Sequence, residues 1–135
     1  MLDGGAGNDV LYGEGGDDIL IGGSGDDVLN GGTGSDTFVF NSLDGSDTVK
    51  DFEAGIDKLD ISEILEGYDE LSSDLENFIQ LVIDQNNADT ILQVNADGQG
   101  TDFQTIATLE GVSLTEGLDL LVQNGTLIVD QGSVI

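Results

Sequence analysis

A mostly β fold is predicted, a parallel β-roll (β-helix) of nonapeptide repeats over residues 1–60 followed by a small α+β C-terminal cap over 61–135, on three observations. First, GGAGNDVLY, GEGGDDILI, GGSGDDVLN and GGTGSDTFV run back to back from Gly4 to Val39. Second, the charge balance is extreme, with 28 acidic residues against 2 basic ones and a formal charge of −26. Third, 38% of the residues are nevertheless hydrophobic, too many for a solvated acidic tail. Such a chain is built to fold, but only where counter-cations offset its self-repulsion.

Each repeat is a glycine-rich hexamer followed by a triplet. In register, the sixth positions are Asp9, Asp18, Asp27 and Asp36. The first, second and fourth positions are nearly all glycine: Gly4, Gly5 and Gly7; Gly13 and Gly16; Gly22, Gly23 and Gly25; Gly31, Gly32 and Gly34. The third position varies, being Ala6, Gly15, Ser24 and Thr33. Glycine allows a backbone to turn tightly and bring its carbonyls close to a ligand. A position whose carbonyl alone matters can carry any side chain. Calcium is a hard cation that takes about six to eight oxygens, carboxylate and carbonyl together. One carboxylate per loop, shared across two loops, would neutralise it. The triplets VLY, ILI, VLN and TFV place Leu11, Leu20, Leu29 and Phe38 at the eighth position, where alternation points the middle side chain inward. One loop-plus-strand unit cannot bury that residue; a stack of them can. The alternative is a flexible Gly/Asp-rich linker, and four consecutive in-register units argue against it.

The stretch resembles the RTX (repeats-in-toxin) nonapeptide family, whose G-G-x-G-x-D-x-U-x pattern is an established calcium-binding signature. The resemblance implies that two repeats make one coil and that several calcium ions sit between loops of successive coils. Carried onto this chain, loop 4–9 pairs with loop 22–27, and loop 13–18 with loop 31–36. Glu14 departs from the pattern, standing where the family has glycine. Two degenerate units follow, Gly45-x-Asp47-Thr48-Val49 and Gly55-x-Asp57-Lys58-Leu59. As a fifth and a sixth unit they would let Asp47 complete a site with the third loop, and Asp57 one with the fourth; an ordinary strand-turn-strand is the other reading. Met1-Leu2-Asp3 fits the tail of an earlier unit, so the chain reads as cut from a longer array.

From Ser62 the glycine rhythm stops. Ser62-Glu63-Ile64-Leu65 and Ser73-Asp74-Leu75-Glu76 read as capped helix starts. FIQLVID, DTILQVN and FQTIATLEG read as strands. Between the last two, NADGQGTD offers Asn95, Asp97 and Asp102 as oxygen ligands, although Asp-Gly is also a strong hairpin-turn signal. A helix over 115–123, with Gly125 at its C-terminal cap, precedes a final TLIVD strand. Of the outward residues in the even-numbered repeats, Ile19, Ile21 and Val39 are apolar. They suggest a face on which Leu71, Leu75 and Phe78 of the cap would dock.

DTFVF, DTVKDFEAGIDKLDIS, TLEGV and NGTLIVD are similar to the C-terminal target domain of type I secretion substrates, the region that follows RTX repeats in large bacterial adhesins. That resemblance implies an uncleaved export signal read by a type I secretion transporter complex. It also implies a location outside a Gram-negative bacterium, secreted or at the cell surface. The N-terminus has neither the basic nor the apolar region of a secretory signal peptide. The alternatives are an extracellular calcium-dependent ligand- or surface-binding module, and the β-roll of a serralysin-type protease.

Composition excludes other classes. Without histidine or cysteine there is no usual zinc set, no disulfide and no Ser-His or Cys-His pair, so no enzymatic activity is expected. The charge excludes a nucleic-acid backbone as partner. No apolar run is long enough for a membrane helix, so no stable membrane insertion is expected. A monomer is expected.

Overall fold

A computed structural model of the chain describes residues 1–65, 75–84, 86, 88–95, 103–114 and 118–129. The repeats form the three-residue strands β2 (Val10–Tyr12), β3 (Ile19–Ile21), β4 (Val28–Asn30) and β5 (Thr37–Val39), preceded by β1 (Leu2–Asp3). β6 (Asp47–Val49) and β7 (Lys58–Asp60) continue the series. Pairing is parallel and skips one repeat: Leu11 lies beside Leu29, Leu20 beside Phe38, and Phe38 beside Leu59. Two repeats therefore make one coil, and the degenerate fifth and sixth units are true rungs.

The reason is the one the triplets suggest. Each central side chain points between the two sheets, and Leu20, Leu29, Phe38, Val49 and Leu59 are buried. The ladder is kept between coils by bonds such as Val28 N–H to Asp9 O and Thr37 N–H to Asp18 O, both 2.8 Å. Leu11, in the first coil, is only half-buried because no earlier rung covers it within this chain.

The second half extends both sheets end-on. β8 (Ile79–Asp84), β9 (Asp89–Val94) and β10 (Gln104–Leu109) form an antiparallel meander. β10 also pairs in parallel with β6, giving a six-stranded sheet in the order β2-β4-β6-β10-β9-β8. A short helix, α1 (Leu118–Gln123), leads to β11 (Leu127–Ile128), which pairs with β7 and closes the other sheet as β1-β3-β5-β7-β11. The link is direct: Glu110 N–H donates to Val49 O at 3.0 Å, and Leu59 N–H to Thr126 O at 2.7 Å. Gly125, with φ 83°, ends α1 as expected. One hydrophobic cluster runs from Leu20 through Phe38 and Leu59 to Ile79, Leu109, Leu121 and Leu127.

Two expectations are corrected. The cap is mostly strand, with almost no helix described: Ser62–Leu65 is a turn in which Ser62 N–H and Oγ both bond Asp60 Oδ1, and Leu75–Asn77 is a single 3-10 turn. Of the apolar even-face residues, Val39 is buried, Ile21 half-buried and Ile19 43% exposed, while Phe78 joins the shared core. An open sheet end carries a row of unpaired N–H and C=O groups, and β10 and β11 cover the two ends. Leu71, Ser73, Asp74, Asp97, Asp102 and the start of the 115–123 helix lie outside the described residues, as does the side chain of Leu75.

Candidate calcium sites

The loops between strands stack into two edges. Loops 4–9 and 22–27 and the turn before Asp47 form one, which we term the odd edge. Loops 13–18 and 31–36 and the turn before Asp57 form the even edge. Along each edge the aspartates are tied head to tail. Asp9 N–H donates to Asp27 Oδ1 (2.8 Å), and Asp27 N–H to Asp47 Oδ1 (3.0 Å). Asp18 N–H donates to Asp36 Oδ1 and Asp36 N–H to Asp57 Oδ1, both 2.9 Å. Both anticipated pairings, 9 with 27 and 18 with 36, are thus brought together in space, and Asp47 and Asp57 continue them.

Asp27 and Asp36 each accept one of these bonds through Oδ1. Oδ2 of Asp9, Asp18, Asp27 and Asp36 is buried with no hydrogen-bond partner. A carboxylate oxygen stripped of water and given no donor is costly, which marks these four atoms as aimed at a cation. The first glycine of each loop makes room for it. A Cβ on Gly4 would lie 2.7 Å from Asp9 Oδ2 and 2.9 Å from the Gly22 carbonyl. One on Gly13 would lie 2.8 Å from Asp18 Oδ2 and 2.6 Å from the Gly31 carbonyl. One on Gly22 would meet Asp27 Oδ2 at 2.6 Å and Asp47 Oδ2 at 3.0 Å, and one on Gly31 would meet Asp36 Oδ2 at 2.5 Å. At Gly4 and Gly13 a carboxylate oxygen meets a carbonyl of the next coil, and at Gly22 the carboxylates of successive coils meet, the kind of oxygen set calcium prefers. Among the described residues no three His, Cys, Asp or Glu side chains gather into a metal-holding group. These sites draw instead on one carboxylate per loop and on backbone.

The remaining predicted positions shape the loops. Gly5, Gly23 and Gly32 at the second position have φ of 78°, 88° and 85°, and Gly7, Gly16, Gly25 and Gly34 at the fourth have 92–104°. Glu14 adopts φ 71° at the second position, so the loop keeps its shape despite the missing glycine. At the third position, Thr33 N–H donates to Glu14 O at 3.0 Å, and a Cβ on Gly15 would sit 3.6 Å from Thr33 Oγ1. Ala6 and Ser24 hold the same position on the odd edge.

Electrostatics agree with a missing counter-charge. Burial, with the nearby Asp27 charge adding to it, pushes the Asp47 carboxyl up to about 7, although a bond from the Asp27 backbone pulls the other way. Asp36 is raised as well, by burial first and then by Asp57, Asp18 and Asp51. Holding several carboxylates ionised here requires positive charge between them.

Two sets of residues escaped sequence reasoning. At the fifth position Asp26 N–H donates to Asn8 Oδ1, Ser46 N–H to Asp26 Oδ1 and Ser35 N–H to Asp17 Oδ1, each at 2.8 Å. The signal was present, since Asn, Asp, Asp and Ser fill that position. Asp51 carried no signal. From the turn that leads to Asp57, its two oxygens accept Gly31 N–H and Gly32 N–H, both at 2.8 Å. Asp57 Oδ2 is also occupied, by Glu53 N–H at 2.8 Å. The last aspartate of the even edge therefore has both oxygens in hydrogen bonds.

Paired loops with converging carboxylate and carbonyl oxygens, between parallel sheets, define a calcium-binding β-roll. Residues 2–38 match the RTX calcium-binding nonapeptide repeat in four copies. Among solved structures, the AlgE6R2 subunit from the Azotobacter vinelandii mannuronan C5-epimerase matches with a TM-score of 0.63 at 26% identity, over 97% of this chain and 82% of that one. The AlgE6R3 subunit of an A. vinelandii mannuronan C5-epimerase matches with a TM-score of 0.52, also at 26% identity, over 79% and 75%. No curated protein matches the chain.

Proposed function

We propose that this chain is the calcium-folded RTX segment of a secreted bacterial protein, without catalysis of its own. Its second half would serve both as the end cap of the roll and as export information for a type I secretion transporter. The observation that carries the calcium reading is the set of four buried, unpartnered Asp Oδ2 atoms. Where calcium is scarce, the carboxylates repel and the glycine-rich loops keep their chain entropy, so the repeats stay loose enough to thread a channel. Outside, sites with Kd of about 10⁻⁴–10⁻³ M, typical of extracellular modules, fill, and binding free energy becomes folding free energy. The export role rests on resemblance of the second half to target domains, an adhesin being the parent that resemblance favours and a serralysin-type protease the alternative.

The test is a calcium titration followed by circular dichroism. Strand signal that grows with millimolar-range calcium is expected; a complete, cooperative β-spectrum in chelator would refute the reading. For the export role, deleting residues 62–135 from the natural parent should abolish type I export, and normal secretion without them would count against it.

A second reading, an extracellular binding module, is favoured by one feature. Tyr12, Asn30 and Lys50 follow one another across the outer face of the odd sheet, with Tyr12 64% exposed and Lys50 bonded to Glu110 at 2.8 Å. An aromatic ring, an amide and an ammonium in a row suit a carboxylated polymer such as the mannuronan named in the matched enzyme. Loss of such binding in Tyr12→Ala with calcium uptake unchanged would favour this reading.

A further inference from the structure

At the second and fourth positions of a loop, the direction a Cβ would take runs straight at the preceding coil. On Gly23 a Cβ would lie 2.2 Å from the Gly5 carbonyl oxygen, and on Gly32 it would lie 1.9 Å from that of Glu14. On Gly25 and Gly34 it would lie 2.4 Å from the carbonyls of Gly7 and Gly16. No real side chain fits at such distances, so glycine is required at these four positions, each with a glycine-rich loop upstream. In the first coil the same direction is open, and a Cβ on Gly5, Gly7 or Gly16 would meet nothing within 4 Å. Glu14 is the one second-position residue of the four repeats that has a Cβ, and it already holds the left-handed φ of 71° that its glycine counterparts hold. Its Cβ therefore projects where a carbonyl of an upstream loop would have to sit.

We propose that Glu14 sets the N-terminal limit of the even edge: an upstream coil joined to this chain can stack on loop 4–9 but not, in the same register, on loop 13–18. No inter-loop calcium site then forms above loop 13–18, while one can form above loop 4–9, where Gly5 and Gly7 leave the approach open. The two edges consequently differ in how many ions they can hold, and one side chain decides it. The steric part stands on geometry alone; the statement about ions rests on the calcium reading above.

The test extends the full chain upstream by two consensus nonapeptides in register with Leu2–Asp3, as it stands and with Glu14→Gly. Bound calcium per chain is counted by native mass spectrometry against the unextended chain. In parallel, amide exchange is followed at Ala6 and Gly15, the third-position N–H groups, since Thr33 N–H shows that this group donates to the second-position carbonyl of the coil above. The extended chain should gain one ion and protect Ala6 but not Gly15; with Glu14→Gly it should gain two and protect both. Glu14→Gln, which keeps the Cβ and loses the charge, should behave as Glu14 does. Equal ion counts and equal Gly15 protection in the two extended chains would overturn the proposal and leave the calcium reading intact. No calcium on any chain would overturn the calcium reading, and Gly15 protection would still decide for or against Glu14.

Discussion

The repeats and the cap share two sheets and one core but are held in different ways. Between Gly4 and Asp60 the strands are three residues long, and each contributes one inward side chain. Much of what joins coil to coil is polar: the Asp-to-Asp ladder, the fifth-position ladder and four carboxylate oxygens with no donor. In the cap the described strands β8, β9 and β10 are six residues long and antiparallel, and Ile79, Leu92, Val94, Ile106, Ala107 and Leu109 are buried between layers without a charge among them. Apolar burial of that kind needs no ion, contributing about 1.5–3 kcal/mol per large side chain. The proposed calcium dependence therefore falls on the repeats, where a short strand buries little against crowded carboxylates.

The largest expected effect separates the two regions. Chelating calcium should erase amide protection in β2–β7 while β8–β10 keep theirs, as hydrogen exchange resolved by residue would show. Equal loss in both halves would mean that the shared core makes them one cooperative unit. Next is Phe38→Ala, which empties the centre of that core beside Leu20, Leu59 and the ring of Phe52, 6.2 Å away. A cost of about 3–5 kcal/mol is expected in calcium-loaded chemical denaturation.

Asp27→Ala should come third. It removes one of the four unpartnered oxygens and an acceptor for Asp9 N–H, so calorimetry should show affinity on the odd edge falling by about tenfold or more, or 1.4 kcal/mol per decade. Asp18→Ala should weaken the even edge instead; identical isotherms for the two variants would remove the distinction between edges.

A smaller effect concerns pH. Asp47 is raised from 3.8 to about 7 in the metal-free fold, so that fold binds a proton more tightly than the unfolded chain does. Metal-free stability should be greatest below about 3.8, fall as pH rises to about 7, and level off above, with Asp36 acting in the same sense. Calcium competes with the same proton, so odd-edge affinity should climb over that window. Asp47→Asn should flatten the metal-free slope in thermal melts across pH. The smallest expected change is Glu14→Gly in the chain as it stands. Relieving a left-handed non-glycine residue, less the entropy glycine loses, should stabilise the loaded roll by about 1 kcal/mol, seen as a rise in Tm.

What the sequence alone determined is what repeats locally. The nonapeptide register located β2–β5 and named Leu20, Leu29 and Phe38 as core, while the resemblance to the RTX family implied the pairing of Asp9 with Asp27 and Asp18 with Asp36. This was legible because each unit meets the same neighbours, so one rule of spacing applies to every coil. The strands β8, β9 and β10 were legible from alternation in the same way. What only the tertiary structure decided lies where the repetition stops. Asp51, from a stretch with no glycine pattern, holds Gly31 N–H and Gly32 N–H across the gap between coils with its carboxylate. β10 and β11 pair with β6 and β7 because an unpaired sheet end exposes unmet backbone groups. Each is a contact between residues far apart in sequence, and no local pattern encodes which distant partner will be missing or supplied.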